Sequence, residues 1–322
     1  MFDLIGDIHG HAAELEELLR RLGYRHRAGA WRHPERTAIF VGDFLDRGPQ
    51  IRETLRLVRE MLEAGSARAV LGNHEWNAFA FHQPDPDLPG EFLRRHFEKN
   101  VHQVAATLAQ VPAPELASHL AFLRTLPIRL ELPLAGDVGG LGSIGGGDGL
   151  RVVHACWDEV AFAVIDEALA RHGGISEAFL VEGSNPESLL FAALEIVLKG
   201  KEMAAARRAT RWSTRTASGA SWRACAGTRR RQGQTVASYA LPHFPHLSPA
   251  PLPAQGRRRG ATLSAGGAAG LLRPLLARPT PAPAALAPNV VLPRLLGRTP
   301  GGFLCGYRLR RRRRNGTFVT VR

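Results

Sequence analysis

The chain has 322 residues, three cysteines and a formal charge of +13. Its length allows one large domain or two ordinary ones, and an odd number of cysteines argues against a secreted disulfide scaffold. The charge alone would suggest nucleic-acid binding, but it is unevenly divided: residues 1–202 carry 20 basic and 29 acidic residues, whereas residues 203–322 carry 22 arginines and no acidic residue. The two parts, of charge −9 and +22, are therefore chemically different.

The sequence contains neither a leader nor a membrane span by its pattern. No basic segment precedes an apolar core near Met1, and no apolar run approaches the roughly 18 residues of a membrane helix. Together with the cysteine count, this predicts a soluble protein of the reducing cytoplasm without membrane partners.

Strands and helices alternate along the first third of the chain. Residues 2–5 and 37–41 are short apolar runs, and leucines recur at helical spacing in residues 12–22. A second helix is predicted over residues 51–64, ending at Gly65. This alternation predicts an α/β layered fold.

The later part of the acidic region is predicted to be mainly helical. Residues 76–125 form a helical insertion that could cover the strand ends, and residues 128–132 and 150–153 are predicted strands. The glycine-rich segment 136–149 between them lacks phosphate-loop spacing, which favours a flexible connection. Helices are predicted at 158–172 and 186–198.

Polar residues follow three predicted strands, at residues 2–5, 37–41 and 69–71. The sequences are Gly-Asp-Ile-His-Gly at 6–10, Gly-Asp-Phe-Leu-Asp-Arg-Gly at 42–48 and Gly-Asn-His-Glu at 72–75, and a fourth strand ends in His154. Strand ends of this kind meet at one edge of a sheet and often carry function. Their carboxylate, amide and imidazole groups suit manganese, iron or zinc better than calcium.

These three motifs, followed by Val-Val-His-Ala-Cys at 152–156, resemble the calcineurin-like metallophosphoesterases, in particular the branch of phosphoprotein phosphatases and symmetrical dinucleoside tetraphosphatases. The resemblance covers residues 1–202, is loose between residues 76 and 132, and ends after Glu202. It implies a four-layer αββα sandwich with a helical insertion and two divalent metal ions, with Mn²⁺ preferred over iron or zinc.

The resemblance also implies a metal-ligand set. Asp7 and His9 would hold the first metal ion, Asp43 would bridge both ions, and Asn73 and His154 would hold the second. Two bridged ions neutralise phosphate oxygens and acidify a bound water.

Three further residues receive catalytic roles from the resemblance. His74 would protonate the leaving oxygen, Asp46 would orient His74, and Arg47 would bind phosphate oxygens with its planar guanidinium. An ordinary surface ion pair between Asp46 and Arg47 is the alternative interpretation.

One metal ligand of the family has no counterpart in this chain. Members of the family carry a further histidine in a late strand-end motif, often after glycine. Only His243 and His246 remain after His172, and neither has that context. The ligand set of the first metal site is therefore incomplete in the sequence.

Residues 203–322 form a low-complexity basic tail that is predicted to be largely disordered. The tail also has the composition of a family C-terminus translated in a wrong reading frame, because GC-rich codons out of phase give Arg, Ala, Pro and Gly. With suitable codons, residues 272–277 become Phe-Gly-His-Tyr-Trp one base later. Residues 279–291 already resemble the family in the present frame, so several frame changes would be needed.

The sequence supports three hypotheses about function. The first is a metal-dependent hydrolase of phosphoesters or phosphoanhydrides, with phosphoprotein and nucleotide substrates equally possible. The second is a damaged, weakly active or inactive phosphatase. The third is a nucleic-acid-binding protein that uses the arginine-rich tail, although few aromatic residues accompany its arginines. The oligomeric state is left open.

Overall fold

A computed structural model describes residues 1–132, 150–204, 221–224, 269–271, 285–287, 290–291, 304–309 and 316–321. In chain order the elements are β1 (Phe2–Ile5), α1 (Ala12–Leu22), β2 (Arg25–Arg27), β3 (Ala30–Arg32), β4 (Thr37–Phe40), α2 (Ile51–Glu63), β5 (Ala67–Ala69), α3 (Asn73–His82), α4 (Glu98–Gln110), α5 (Ala113–Leu123), β6 (Arg129–Leu132), β7 (Leu150–Val153), α6 (Glu159–His172), α7 (Glu177–Ser184), α8 (Leu189–Lys199), β8 (Lys201–Ala204), β9 (Ser221–Ala224), β10 (Ala269–Leu271), β11 (Ala285–Ala287), β12 (Val290–Val291), β13 (Leu304–Leu309) and β14 (Gly316–Val321).

These strands form two five-stranded sheets and two short hairpins. The first sheet has the order β14-β13-β1-β4-β5, and the second has the order β11-β12-β10-β7-β6. β1, β4 and β5 run parallel to one another. Since parallel neighbours need a crossover connection, α1 and α2 lie between consecutive strands of the first sheet.

The two sheets pack against each other through an apolar layer. Leu4, Ile39 and Val41 of the first sheet and its strand ends form one buried cluster with Leu150 and Val152 of the second sheet. A larger buried cluster joins the first sheet to leucines of α1 and α2 and extends to α6 and α8. The predicted α/β fold of layered sheets and helices is confirmed.

The structure contains elements that the sequence pattern did not indicate. β2 and β3 form a hairpin whose strands were not predicted, because Arg25, His26 and Arg27 show no apolar alternation and are all exposed. α7 was also missed, and α8 begins at Leu189 rather than at Pro186.

The last two strands are an ordered part of the tail, which was predicted to be largely disordered. β13 pairs with β1 in antiparallel register, with Asp3 opposite Arg308, and β14 pairs with β13. Leu304 and Tyr307 are buried, and Asp3 forms an ion pair with Arg308. The neighbouring arginine run concealed this strand pattern in the sequence. For most of residues 203–303, including His243 and His246, and for segment 136–149, the predictions lie outside the described residues.

Among the described residues, none of the helices has both the length and the apolar character needed to cross a membrane.

Candidate metal centre

The predicted site lies where the two sheets meet at the carboxyl ends of β1, β4, β5 and β7. Glycines let the loops approach closely there. A Cβ on Gly48 would overlap the carbonyl of His9, and a Cβ on Gly72 would overlap the Asp43 carboxylate. Any side chain at these two positions would therefore push the loops apart.

Backbone strain is concentrated at this site. Of the five non-glycine residues with positive φ among those described, four are His9, Asp43, Asp46 and Arg47, with φ between 48° and 73°. This region is uncommon for residues with a side chain, and strained residues cluster at functional sites. Strain at four residues of one small cluster favours a functional role for these loops.

Asp43 lies at the centre of the cluster and is fully buried. Its Oδ2 lies 3.3 Å from Nε2 of His9, and its Oδ1 lies 3.5 Å from Nε2 of His154. Asp7 Oδ2 lies 3.9 Å from the same His9 nitrogen, and Asn73 Oδ1 lies 3.1 Å from the same His154 nitrogen. The structure therefore brings all five predicted ligands together around one carboxylate.

Both histidines are oriented by backbone carbonyls. Nδ1 of His9 is 2.8 Å from the carbonyl of Leu45, and Nδ1 of His154 is 2.6 Å from the carbonyl of Val41. A carbonyl only accepts, so each Nδ1 carries the hydrogen, and in the neutral form of either ring the lone pair then lies at Nε2. This second hydrogen bond is the usual way in which a protein orients a metal-binding histidine.

The donor set fits divalent cations. Each Nε2 lone pair faces an oxygen of Asp43, an arrangement of two electron-rich atoms that a cation between them would stabilise. Burial lowers the pKa of His9 from 6.5 to about 4, so this ring is neutral at neutral pH. Two groups of side chains can each converge on one ion, and the donor atoms within each group lie within 4.8 Å of one another. The groups are Asp7, Asp43 and His154, and His9, Asp43 and His74.

These groupings differ from the resemblance, which assigned Asp7 and His9 to one ion and treated His74 as an acid. Asp43 belongs to both groups, as expected for a bridging carboxylate. The division of the remaining ligands between two ions stays a prediction.

His74 makes a short contact with Asp46. Its Nδ1 donates to Asp46 Oδ2 at 2.6 Å, and its Nε2 is 3.2 Å from Nη2 of Arg47. The three residues predicted to act in catalysis therefore form one connected group beside Asp43, whose Oδ2 is 4.0 Å from Nε2 of His74. A hydrogen bond from Nδ1 to a carboxylate leaves Nε2 as the atom that can exchange a proton with a substrate.

Glu75 was quoted in the sequence motif without a role, and the structure gives it one. Its carboxylate accepts hydrogen bonds from the backbone amides of Asp43, Phe44 and Gly72 at 2.7, 2.8 and 2.9 Å. Burial, followed by the neighbouring charge of Asp43, raises the pKa of Glu75 to about 7. Glu75 thus joins the two loops that carry Asp43 and Asn73.

The helical insertion contributes a residue that the sequence did not indicate. Thr107 of α4 donates its hydroxyl hydrogen to Asp46 Oδ1 at 2.6 Å and accepts from the Asp46 amide at 3.0 Å. Arg94 is half-buried nearby and donates to Gln103, whose amide lies 3.5 Å from His74. No motif marks these residues, because a threonine contact across 61 positions leaves no local pattern.

Residues 1–127 match the family model described as Calcineurin-like phosphoesterase. The match includes the first three motifs, and it confirms the resemblance that these motifs carried in the sequence. His154, the fourth predicted strand-end residue, lies beyond the matched range.

Curated relatives of this chain are named as tetraphosphatases. The chain is 49% identical over 74 residues to the bis(5'-nucleosyl)-tetraphosphatase PrpE [asymmetrical] of Halalkalibacterium halodurans, which covers 23% of this chain and 30% of that protein. It is 31% identical over 130 residues to the symmetrical bis(5'-nucleosyl)-tetraphosphatase of Shewanella baltica, covering 40% of this chain and 39% of that protein. The chain thus spans well under half the length of these relatives.

Solved structures give more distant similarities. A cold-active protein-tyrosine phosphatase of a psychrophilic Shewanella species matches with 21% identity and a TM-score of 0.34, covering 62% of this chain and 61% of that chain. A metallophosphoesterase from Sphaerobacter thermophilus matches with 25% identity and a TM-score of 0.28, covering 51% and 53%. The fold assignment above depends on the two sheets of this chain.

Proposed function

We propose that this protein is a metal-dependent hydrolase of phosphoesters or phosphoanhydrides, and that two divalent ions, with Mn²⁺ preferred, are held by Asp7, His9, Asp43, Asn73 and His154. The observation that carries this proposal is the pair of Nε2 atoms, of His9 and His154, that face the two oxygens of Asp43 at 3.3 and 3.5 Å. Backbone carbonyls hold both rings in the orientation that metal binding needs.

When bound, such ions neutralise phosphate oxygens and generate a nucleophile from water at neutral pH. The chain's own residues then supply proton transfer and orientation. The carboxylate of Asp46 accepts the Nδ1 hydrogen of His74 at 2.6 Å and so orients the ring. Nε2 of His74 is then the ring nitrogen that can pass a proton to the oxygen that leaves phosphorus.

Arg47 is placed to bind the phosphate group. Its Nη2 lies 3.2 Å from Nε2 of His74, on the side of the ring that would face a substrate. A guanidinium can donate two parallel hydrogen bonds to two phosphate oxygens. Arg47 would thus hold the phosphate beside the atom of His74 that donates the proton.

The substrate class is open between nucleotides and phosphoproteins. The names of the two curated relatives favour a dinucleoside polyphosphate, although each aligned segment is a minor part of both proteins. We propose a dinucleoside tetraphosphate as the first substrate to assay, and a phosphoserine peptide as the second.

The test is turnover of manganese-supplemented full-length protein. We expect hydrolysis of p-nitrophenyl phosphate, and we expect Asp43→Asn or His74→Ala to lower turnover by at least ~100-fold, as for loss of a metal bridge or a general acid. Asp166→Asn and His119→Ala are the matched controls, because Asp166 pairs with Arg129 and His119 is a buried residue of α5 that belongs to neither group of candidate metal ligands. Unchanged turnover in both site variants would refute the assignment.

For residues 203–322, we propose that much of the segment is a family C-terminus in a wrong frame. Support comes from β13 and β14, which complete the first sheet in the present frame although the preceding segment has lost its acidic residues. On this proposal the protein as written lacks its late metal-binding histidine and is weakly active.

The nucleotide sequence decides the frame proposal. Codons other than CCA for Pro274 and CTA for Leu275 would end it. If these codons agree, restoring the frame should raise both manganese affinity and turnover.

We also propose a cytoplasmic setting, since the one cysteine whose side chain is described, Cys156, is buried and forms no disulfide. Fractionation of cells expressing the protein would test this setting.

A further inference from the structure

A second charged region lies at the opposite end of the strands of the first sheet. A cavity of about 790 Å³ opens there, at the amino ends of β4 and β5. It is lined by Arg25, Arg27, Arg32, His33, Pro34, Glu35, Arg36, Thr37, Gly65 and Ser66. Because β1, β4 and β5 are parallel, this cavity and the candidate metal centre are separated by the length of the strands.

The hairpin places its arginines on one face. Arg25 lies directly opposite Arg32 in the β2–β3 register, and Arg27 is two residues along β2 on the same face. Like charges directly opposite each other destabilise a strand pair. The other face carries His26 and the buried Trp31, whose ring contact fixes the orientation of the hairpin.

These three arginines have no acidic partner among the described residues. Asp3, which is fully buried, forms ion pairs with Arg36 at 2.9 Å and with Arg308 at 3.3 Å. Within the described part of the chain, the hydrogen bonds of the hairpin arginine side chains are those from Arg25 Nη1 to the Tyr24 carbonyl and from Arg32 Nη1 to the Ala64 carbonyl, both 3.1 Å.

The Arg32 side chain adds a second observation. Its Nε is buried and has no hydrogen-bond partner in the described part of the chain, and a buried donor without a partner is costly. The contact to Ala64 fixes the guanidinium beside the cavity. An anion held by the guanidinium groups of Arg25 and Arg32 would offset the repulsion between these two side chains.

We propose that this cavity, which we name the basic cavity, binds a small polyphosphate anion at a site separate from the candidate metal centre. Four arginines and one histidine line the cavity with a single acidic side chain, Glu35, and Arg36 alone of these arginines pairs with a described acidic residue, Asp3, so the lining favours a strongly anionic ligand. Guanidinium groups suit phosphate oxygens because they donate paired hydrogen bonds. The volume is in the range of small-molecule sites.

The lining favours the phosphate chain over a base as the recognised group. No Trp, Tyr or Phe lines the cavity, and Trp31 lies on the opposite face of the hairpin. A nucleobase would therefore find only the small imidazole ring of His33 on which to stack. Inorganic polyphosphate and the phosphate chain of a nucleotide share the recognised chemistry.

Hydrogen exchange of the full-length, manganese-supplemented protein tests the proposal locally. The probe is imidotriphosphate, whose P–NH–P links resist hydrolysis. Because the exchange of each peptide is measured separately, binding of the probe to arginines elsewhere in the chain does not affect the result for residues 25–37. We expect imidotriphosphate to slow exchange in this segment.

The variant Arg25→Gln/Arg27→Gln should lose this protection or require roughly tenfold or more probe to reach it. Its exchange without probe should match the parent, which shows that the hairpin is intact. The control Arg56→Gln/Arg171→Gln removes the same charge from two exposed arginines outside the cavity and should keep the protection.

Two further probes identify the source of the phosphate chain. Equal protection by imidotriphosphate and by the imido analogue of ATP indicates the phosphate chain alone, and stronger protection by the ATP analogue indicates a nucleotide. No protection in the parent, equal protection in the Arg25→Gln/Arg27→Gln variant, protection by adenosine, or tighter binding of an oligonucleotide would each overturn the proposal.

Discussion

The two ends of the first sheet have opposite charge: acidic side chains predominate at the carboxyl end and arginines at the amino end. At the carboxyl end, Asp7, Asp43, Asp46 and Glu75 are buried, and Arg47 and the half-buried Arg94 lie nearby. At the amino end, the arginines of the basic cavity face one glutamate. The same parallel strands thus separate a site with an excess of carboxylates, the candidate metal centre, from a site with an excess of arginines, the basic cavity.

The two ends also differ in how their side chains are held. At the carboxyl end, backbone carbonyls accept hydrogen bonds from His9 and His154, and backbone amides donate to Glu75. At the amino end, exposed arginines extend from a short hairpin with few fixed contacts. The comparison predicts large effects of substitution at the first end and small, salt-dependent effects at the second.

The largest effect is expected for Glu75→Ala. The substitution leaves three buried amides without an acceptor, and each such loss costs about 1–3 kcal/mol, so the free energy of unfolding should fall by at least about 3 kcal/mol. Urea unfolding would measure this change. Glu75→Gln retains one acceptor oxygen and should be clearly milder, and equal losses in the two variants would contradict the role given to the carboxylate.

Thr107→Val should affect turnover more than stability. It removes the hydroxyl that holds Asp46, so the orientation of His74 is loosened, and we expect turnover of p-nitrophenyl phosphate to fall about tenfold, equivalent to about 1.4 kcal/mol. Thr107→Ser restores the hydroxyl and should recover most of the activity. An inactive Thr107→Ser variant would show that packing of the methyl group, rather than the hydrogen bond, is what matters.

The buried carboxyl group of Asp3, at the amino end of the first sheet, should make the stability of the protein depend on pH. Burial raises the pKa of Asp3 above 3.8, although Arg36 and Arg308 oppose the shift. Because the pKa of Asp3 is higher in the folded protein than in the unfolded chain, protonation of Asp3 stabilises the fold. This stabilisation is complete below pH 3.8 and is lost as the pH rises through the pKa of the folded state. The stability of the parent relative to Asp3→Asn should therefore decrease between pH 4 and pH 7.

Urea unfolding of both proteins across this range measures the difference. If the parent instead became more stable relative to Asp3→Asn as the pH rises, the effect of the two arginines on the pKa of Asp3 would outweigh the effect of burial. Asp166→Asn is a suitable control, because Asp166 is half exposed in its ion pair with Arg129.

The smallest effect is expected for Arg25→Gln. Removing one of two directly opposed like charges should raise the free energy of unfolding by about 0.2–1 kcal/mol in low salt. The gain should disappear at high ionic strength, because salt screens exposed charges. Loss of stability in low salt would show that Arg25 has a favourable partner and would weaken the argument for the basic cavity.

Much of the candidate metal centre could be predicted from the sequence because its information is local. Each metal-binding motif follows directly after a strand, and parallel strands place their ends at the same edge. The periodic leucines likewise predicted α1 with the bounds that the structure shows. The importance of Glu75 could have been predicted, since it completes a motif. Its three amide partners could not, because they belong to separate loops.

The tertiary structure alone decided the features that depend on distant pairing. Thr107 reaches Asp46 across 61 positions, and Arg308 reaches Asp3 across 305 positions through pairing of β13 with β1. No local periodicity records such contacts, and the arginine-rich composition hid the last strands. The sequence determined which strand ends carry charged groups. Packing determined which of those groups have partners, because two groups can meet only when the burial and the register of both chain segments bring them together.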